Sequence, residues 1–356
     1  MMFKQSPPDN ICIVRLSAIG DTCHALAVVR AIQDTWPESN VTWIIGKTEA
    51  GLMADIPDIE FIIFDKRKGR LAYRDIKSQL QGRKFDVTLC MHASMRANWL
   101  YRIIDSPIRL GYDFKRARDF QWLFTNRRIA AESQQHVLDG MMRFAEHIGI
   151  PPASGTQRVL RWDIPLSERH REFAASYTNG DQPILMVSPC SSQRARNFRN
   201  WSAENYAAAI RHAQQKFNCR IILSGGKSDL EVEYGKIITR LCGEAVINLI
   251  GQTSLKQLLA LIDASNLLIC PDSGPAHMAT AVGTPVIGLY ATSNPERSGP
   301  YLSRDLTINA YGDAAGRYLG KSASQLRWGQ RVRDPGAMNL IRLKHVNEKI
   351  DQFFGK

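Results

Sequence analysis

Apolar residues fall along this chain in short bursts separated by longer amphipathic stretches, and that alternation sets the expected architecture. Ile11-Cys12-Ile13-Val14 is a burst of strand length. The stretch after it carries Ala25, Val28, Val29, Ile32 and Trp36 on one helical face, and Pro37 ends it. Val41–Ile45, Phe61–Phe64 and Phe85–Leu89 read as three further strands with helical stretches between them. A helix over about Val137–Ile148 follows a basic, aromatic segment that runs from Tyr112 to Arg128. Around Pro151–Pro183 the periodicity fades and Pro, Ser, Gly and charged residues accumulate, as in a linker.

The second half restarts the same alternation. Ile184–Val187, Arg220–Leu223, Val246–Leu249, Leu267–Cys270 and Val286–Tyr290 read as strands. Helices are expected after Trp201, with Ser202 as N-cap, over Ser254–Asp263, over Ala276–Val282 and over Met338–Phe354. Alternating β and α implies parallel sheets covered on both faces. The expected division is therefore 1–165 and 166–335, two α/β domains forming a cleft between them. Residues 336–356 form a last helix that could pack back on the first domain.

Composition narrows the class. Hydrophobic residues at 44% and charged residues at 22% describe a globular protein. No apolar run approaches the roughly 20 residues needed to span a bilayer, and Met1–Ser6 leads into no signal-peptide core. Seven cysteines without Cys-x-x-Cys spacing argue for core packing in a reducing cytoplasm, not for zinc or disulfides. A net charge of +12 points to a polyanionic partner: nucleic acid, an anionic membrane face or a phosphorylated substrate.

Candidate chemistry sits where strands end. Pro271-Asp272-Ser273-Gly274-Pro275 links a strand to a small-residue helix, and the start of such a helix suits phosphate. Asp272 and Ser273 as mere helix caps are the competing reading. Asp21 ends the loop after the first strand, where it serves either as a first-turn residue favoured by the helix dipole or as a general base for a hydroxyl. His24 and His277 are more simply packed residues than bases. No Gly-x-Gly, no complete P-loop spacing and no Asp-x-Asp occur, so neither a dinucleotide nor a metal site is expected. A leaving diphosphate would then rest on backbone amides and fixed cations. Arg199 and Lys227 follow strands of the second half, and Arg194 and Arg196 read as ordinary surface charge. In the first half, Lys66-Arg67-Lys68-Gly69-Arg70 and the stretch with Lys115, Arg116, Arg118, Arg127 and Arg128 are basic.

Two of these segments resemble one family. Arg15-Leu16-Ser17-Ala18-Ile19-Gly20-Asp21 is similar to the N-terminal signature of the bacterial lipopolysaccharide heptosyltransferases, glycosyltransferase family 9. Asp272-Ser273-Gly274-Pro275-Ala276-His277 with Gly283-Thr284-Pro285 is similar to the C-terminal signature of that family. The resemblance implies a GT-B fold and metal-independent, inverting transfer of heptose from ADP-heptose to the Kdo–lipid A core, the first heptose favoured, with addition of a later core heptose or use of another nucleotide sugar as the alternatives. ADP-heptose is then a substrate and no cofactor is expected. It implies Asp21 as base, with Arg199, Lys227, Glu231, Asp272, Ser273, Gly274, Pro275 and His277 on the donor. Pro275 has no N–H to give, which sets it apart from members with a donor there. Arg15, Ser17, Ala18, Gly20, Lys66, Arg67, Arg70 and Arg118 would face an acceptor that is plain or phosphorylated on Kdo. The basic loops would also suit the anionic cytoplasmic face of the inner membrane. Nucleic-acid binding, suggested by Arg116, Arg118, Phe120, Trp122 and Phe124, lacks a known module.

Overall fold

The structure, a computed structural model, describes residues 2–3, 6–152, 160–191, 197–243 and 245–355. Arg194 and Arg196 lie outside the described residues. The chain divides into two compact units, Met1–Pro165 and Leu166–Lys356.

The first unit runs β1 (Asn10–Val14), α1 (Ile19–Thr35), β2 (Asn40–Gly46), α2 (Lys47–Met53), β3 (Glu60–Phe64) and α3 (Arg70–Gln79). It continues through β4 (Val87–Leu89), α4 (Met95–Tyr101), β5 (Ile108–Gly111), β6 (Arg127–Arg128) and α5 (Val137–Ile148). Its six strands are parallel, in the order β3-β2-β1-β4-β5-β6. β1 is central, with Ile13 opposite Trp43 on one side and Leu89 on the other. All three are fully buried, as a sheet covered on both faces requires.

The second unit opens with α6 (Glu168–Thr178) and continues through β7 (Ile184–Val187), α7 (Ala203–Phe217), β8 (Arg220–Leu223), α8 (Asp229–Cys242), β9 (Val246–Asn248) and α9 (Leu255–Asp263). It closes with β10 (Leu267–Pro271), α10 (Gly274–Val282), β11 (Val286–Tyr290), α11 (Pro295–Ser298), β12 (Ile308–Asn309), α12 (Tyr311–Leu319) and α13 (Leu343–Phe354). Its order is β12-β11-β10-β7-β8-β9, again all parallel. Counted within each unit, both sheets have the doubly wound order 3-2-1-4-5-6.

The structure departs from the sequence reading in three places. The expected linker 151–183 contains α6, which packs on α9. Only Ala174 of α6 is fully buried, so the helix shows no apolar stripe to read. Before it, Trp162 is buried against α1, its indole N–H donating to Cys23 O at 2.9 Å while Arg30 donates to Trp162 O at 3.0 Å. Strands β5, β6 and β12 were not expected; their residues mix charge with apolar side chains or are too few to show a burst. The last helix is broken: a 3-10 turn over Ala337–Leu340 precedes α13, which packs on α7 of its own unit. The seven cysteines are all free, and all but Cys242 are buried. No helix among the described residues is long and apolar enough to cross a membrane.

Candidate active site

A doubly wound sheet opens a crevice at the carboxyl ends of the strands where the order reverses. That point lies between β1 and β4 in the first unit and between β7 and β10 in the second. The β1–α1 and β4–α4 loops meet at the first, the β7–α7 and β10–α10 loops at the second.

At the first point, Asp21 sits in the opening turn of α1. Its carboxylate accepts from the Ala18 N–H at 3.3 Å and forms an ion pair with Arg15. The Ser17–Ala18 peptide is cis. Arg15 is 11% exposed and Asp21 35%, so the cation is sunk beneath a carboxylate that solvent or a substrate can reach. Burial opposes the charge on Arg15, but Asp21, together with Tyr112 and Tyr101, outweighs it and the guanidinium pKa rises. A second anchor ties Arg15 down: Nη1 donates to Met91 O at 2.5 Å. His92 follows directly, and its Nδ1 accepts from the Leu16 N–H at 3.2 Å. Burial first, and Arg15 second, push the His92 pKa down to about 3. His92 is therefore a neutral imidazole with its proton on Nε2. Glu49 of α2 completes the group. Burial raises its carboxyl pKa, Lys66 and Arg15 pull it down, and Asp21 pushes it up. Only a glycine fits at position 46, because a Cβ there would lie 2.3 Å from Leu16 O and 2.6 Å from Glu49 Oε2.

At the second point, Asp272 and Ser273 precede α10. The competing reading of simple caps does not hold for Ser273, which is the N-cap residue yet makes no side-chain cap. Its buried Oγ lies near the Cys270 thiol without a hydrogen bond of normal geometry. Asp272 accepts from Ser293 Oγ at 2.9 Å and pairs with Arg199 at 3.4 Å and Arg331 at 3.8 Å. Arg199 also donates to Asp272 O at 2.9 Å and to Asn197 Oδ1 at 3.1 Å. The result is a helix N-terminus with no capping side chain from Ser273, beside a fixed guanidinium. Such a place suits a phosphate group. Pro275 stands in the first turn, where its missing N–H costs the helix nothing. His277 is buried on the next turn.

The remaining candidates are spread along the same sheet edges. Lys66 and Arg67 lie in a 3-10 turn after β3, capped by Asp65, and Arg70 starts α3; all three are exposed. Arg118 is exposed on the β5–β6 connection, two strands from β1. Ser17 and Ala18 are half-buried and Gly20 is buried at the start of α1. Lys227 is exposed after β8. Glu231 is occupied within its own loop, accepting from the Gly226 N–H at 2.7 Å and from Ser228 Oγ at 2.5 Å as the N3 residue of a capping box. His92, Glu49, Asn197, Ser293 and Arg331 were not expected. The reversal of strand order would have pointed to His92, since it follows β4. Among the described residues no group of three or more His, Cys, Asp or Glu is arranged to hold a metal ion.

The comparisons with known proteins follow this geometry. The sequence model described as glycosyltransferase family 9 (heptosyltransferase) matches residues 73–321. The chain is 41% identical over 345 residues to the lipopolysaccharide core heptosyltransferase OpsX of Haemophilus influenzae, covering 97% of this chain and 96% of that one. Among solved structures, the family 9 glycosyl transferase from Veillonella parvula superposes with a TM-score of 0.77 at 21% identity, covering 99% and 98% of the two chains. The E. coli heptosyltransferase WaaC with ADP-2-deoxy-2-fluoro heptose superposes at 0.71 and 16%, covering 96% and 99%. At those identities the two structures speak for the fold alone, the α/β GT-B class. The match to the family model and the 41% relative establish the rest: this chain is an enzyme of glycosyltransferase family 9, the heptosyltransferases.

Proposed function

We propose that the protein transfers heptose from ADP-heptose to the Kdo of Kdo–lipid A, as the first heptose of the lipopolysaccharide core, with inversion and without a metal. The observation that carries this is that each unit has a built loop at the reversal point of its own sheet. One holds a reachable carboxylate on a buried arginine, the other a helix start beside Arg199 without a side-chain cap from Ser273.

In this reading the acceptor hydroxyl loses its proton to the Asp21 carboxylate as its oxygen bonds to the anomeric carbon. The bond from that carbon to the β-phosphate oxygen breaks, and ADP leaves with the electron pair. Arg15 holds the carboxylate in place. The α10 N–H groups and Arg199 receive the charge that develops on the diphosphate, which is the task a metal performs elsewhere. Lys66, Arg67, Arg70 and Arg118 supply the cations an acceptor rich in phosphate and carboxylate requires. Two relatives support the choice of substrates: the 41% identical protein is named for the lipopolysaccharide core, and the E. coli structure holds an ADP-heptose analogue. The enzyme would work at the cytoplasmic face of the inner membrane, where that acceptor lies.

The test is ADP release by the purified protein given ADP-heptose and Kdo–lipid A, plain or phosphorylated on Kdo, in the presence of EDTA. Acceptor-dependent ADP release and a product of inverted anomeric configuration are expected. Release only with an already heptosylated acceptor would move the reaction to a later core heptose. Release only with another nucleotide sugar would overturn the donor.

A further inference from the structure

Apart from Arg118, the β5–β6 connection and α4 carry a surface that the proposed chemistry does not use. Phe114 and Leu123 are each 64% exposed, Phe120 60% and Trp99 48%. Trp122, 39% exposed, stands between Phe114 and Phe120 with ring centroids 6.3 and 6.5 Å away. These side chains are held outward by a polar base. Gln121 is fully buried, donating to Cys90 O at 2.7 Å and accepting from the Tyr112 N–H at 3.2 Å, and Asn98 donates to Asp119 O at 2.6 Å. Asp119 and Phe120 both have left-handed backbone, φ 51° and 58°, an uncommon state for a bulky residue. The chain is bent so that Gln121 points in and its neighbours point out.

Cations frame this patch. Arg128 stacks over Phe114 at 4.0 Å and Arg102 over Trp99 at 5.8 Å. A cavity of about 540 Å³ opens beside it, lined by Arg102, Arg109, Leu123 and Phe124. Arg109 Nε is buried there without a hydrogen-bond partner. Residues 96–128 contain eight arginines and lysines against three aspartates. Of those three, Asp113 is buried in an ion pair with Arg116, and Asp119 accepts from the Met95 N–H. The charge left over is positive.

We propose that this face of the first unit docks on an anionic bilayer. Phe114, Phe120, Trp122 and Leu123 enter the boundary between headgroups and acyl chains, while Arg102 and Arg109 hold a lipid phosphate in the cavity beside Leu123. Aromatic and leucine side chains ringed by arginine match that boundary in both polarity and charge. A nucleic acid fits less well, because Leu123, among the most exposed of the apolar residues, offers no ring for a base to stack on. The inference rests on the acceptor reading above only in that it places the enzyme where a lipid-bound acceptor lies; the geometry itself stands without it.

The experiment measures binding of the full chain to phosphatidylcholine vesicles with and without phosphatidylglycerol, by sedimentation and by quenching with bromine-labelled acyl chains. Wild type should bind the anionic vesicles at least tenfold more tightly, and Arg102→Gln with Arg109→Gln should remove about tenfold of that. The quench should fall in Trp122→Phe, which keeps an apolar ring and the fold, and the remainder should disappear when Trp99→Phe is added. Trp122→Ala with Leu123→Ala should release the protein from vesicles and slow transfer to vesicle-embedded acceptor, while transfer to a deacylated soluble acceptor stays at the wild-type rate. Equal binding to both vesicle types, an unchanged quench in Trp122→Phe, or tighter binding to single-stranded oligonucleotide than to vesicles would overturn the proposal. So would a dimer in solution that Trp122→Ala disperses. Vesicle binding without transfer to any acceptor would instead refute the acceptor reading and leave the docking surface standing.

Discussion

Arg199→Met tests the ion-pair arrangement at the β10–α10 turn. The guanidinium is 12% exposed and the Asp272 carboxylate 9%, so the substitution leaves a buried charge beside an apolar side chain. Removing one partner of a buried pair costs about 3–5 kcal/mol. Two contacts remain to soften that loss: the Ser293 hydrogen bond at 2.9 Å and the approach of Arg331 at 3.8 Å. Together they should offset about 1–2 kcal/mol, leaving a net loss of about 1–4 kcal/mol. For a unit of this size that lowers Tm by about 2–16 °C. Asp272→Asn in the Arg199→Met background removes the stranded charge and should recover about half of the loss, a coupling a double-mutant cycle measures directly. ADP affinity should fall by about 10–100-fold in Arg199→Met, since a charge-assisted contact to phosphate is lost. Calorimetry on the four proteins gives both quantities. A single mutant with unchanged Tm, or two mutations whose effects simply add, would refute the coupled arrangement.

Three further outcomes follow. Asp21→Asn should lower kcat by about 10²–10⁴ while leaving ADP-heptose affinity within about twofold, and a variant within threefold of wild-type kcat would remove Asp21 from the role of base. His92 has a folded pKa of about 3 against roughly 6.5 unfolded, so between those values the unfolded chain binds more protons. The stability this contributes is complete above about pH 6.5 and is lost as pH falls towards 3. His92→Asn keeps an acceptor for the Leu16 N–H, and urea midpoints at pH 7.5 and 4.5 should move apart less than in wild type. Glu231→Ala should cost about 1–2 kcal/mol by opening the α8 cap, and Glu231→Gln should restore most of it; equal losses in the two would show that the cap is not what the residue supplies.

The alternation of strand and helix was legible because a strand buried on both faces must be continuously apolar, as in Ile11–Val14 and Leu267–Cys270. β5 was not legible: Arg109 interrupts it, and its place is secured by Asn126, whose Oδ1 accepts from the Arg109 N–H at 2.8 Å. α6 escaped for the opposite reason, being polar on nearly every side. Asp21 and the Asp272–Gly274 turn could be read because each directly follows such a strand. Arg15 and Arg199 were read as candidates too, but the contacts that fix them from afar could not be read. Arg15 meets Met91 and Leu16 meets His92 across 76 residues, and Asp272 meets Arg331 from a stretch with no periodicity at all. A sequence marks where a loop leaves a sheet, but only the sheet brings two loops together.

Trp201, two residues after Arg199, is fully buried and its indole N–H donates to Ile341 O at 3.0 Å. Val346 and Ile350 of α13 belong to the same core cluster. The arginine beside the β10–α10 turn is thus braced by a stretch synthesised about 140 residues later. At ordinary translation speeds the ribosome needs roughly 7–28 s to travel from Trp201 to Ile341. During that interval the first unit can fold to completion, whereas the loop bearing Arg199 waits for its brace. A nascent chain therefore passes through a period in which the first unit is finished and the second is still open, and truncation before Ile341 would hold it there.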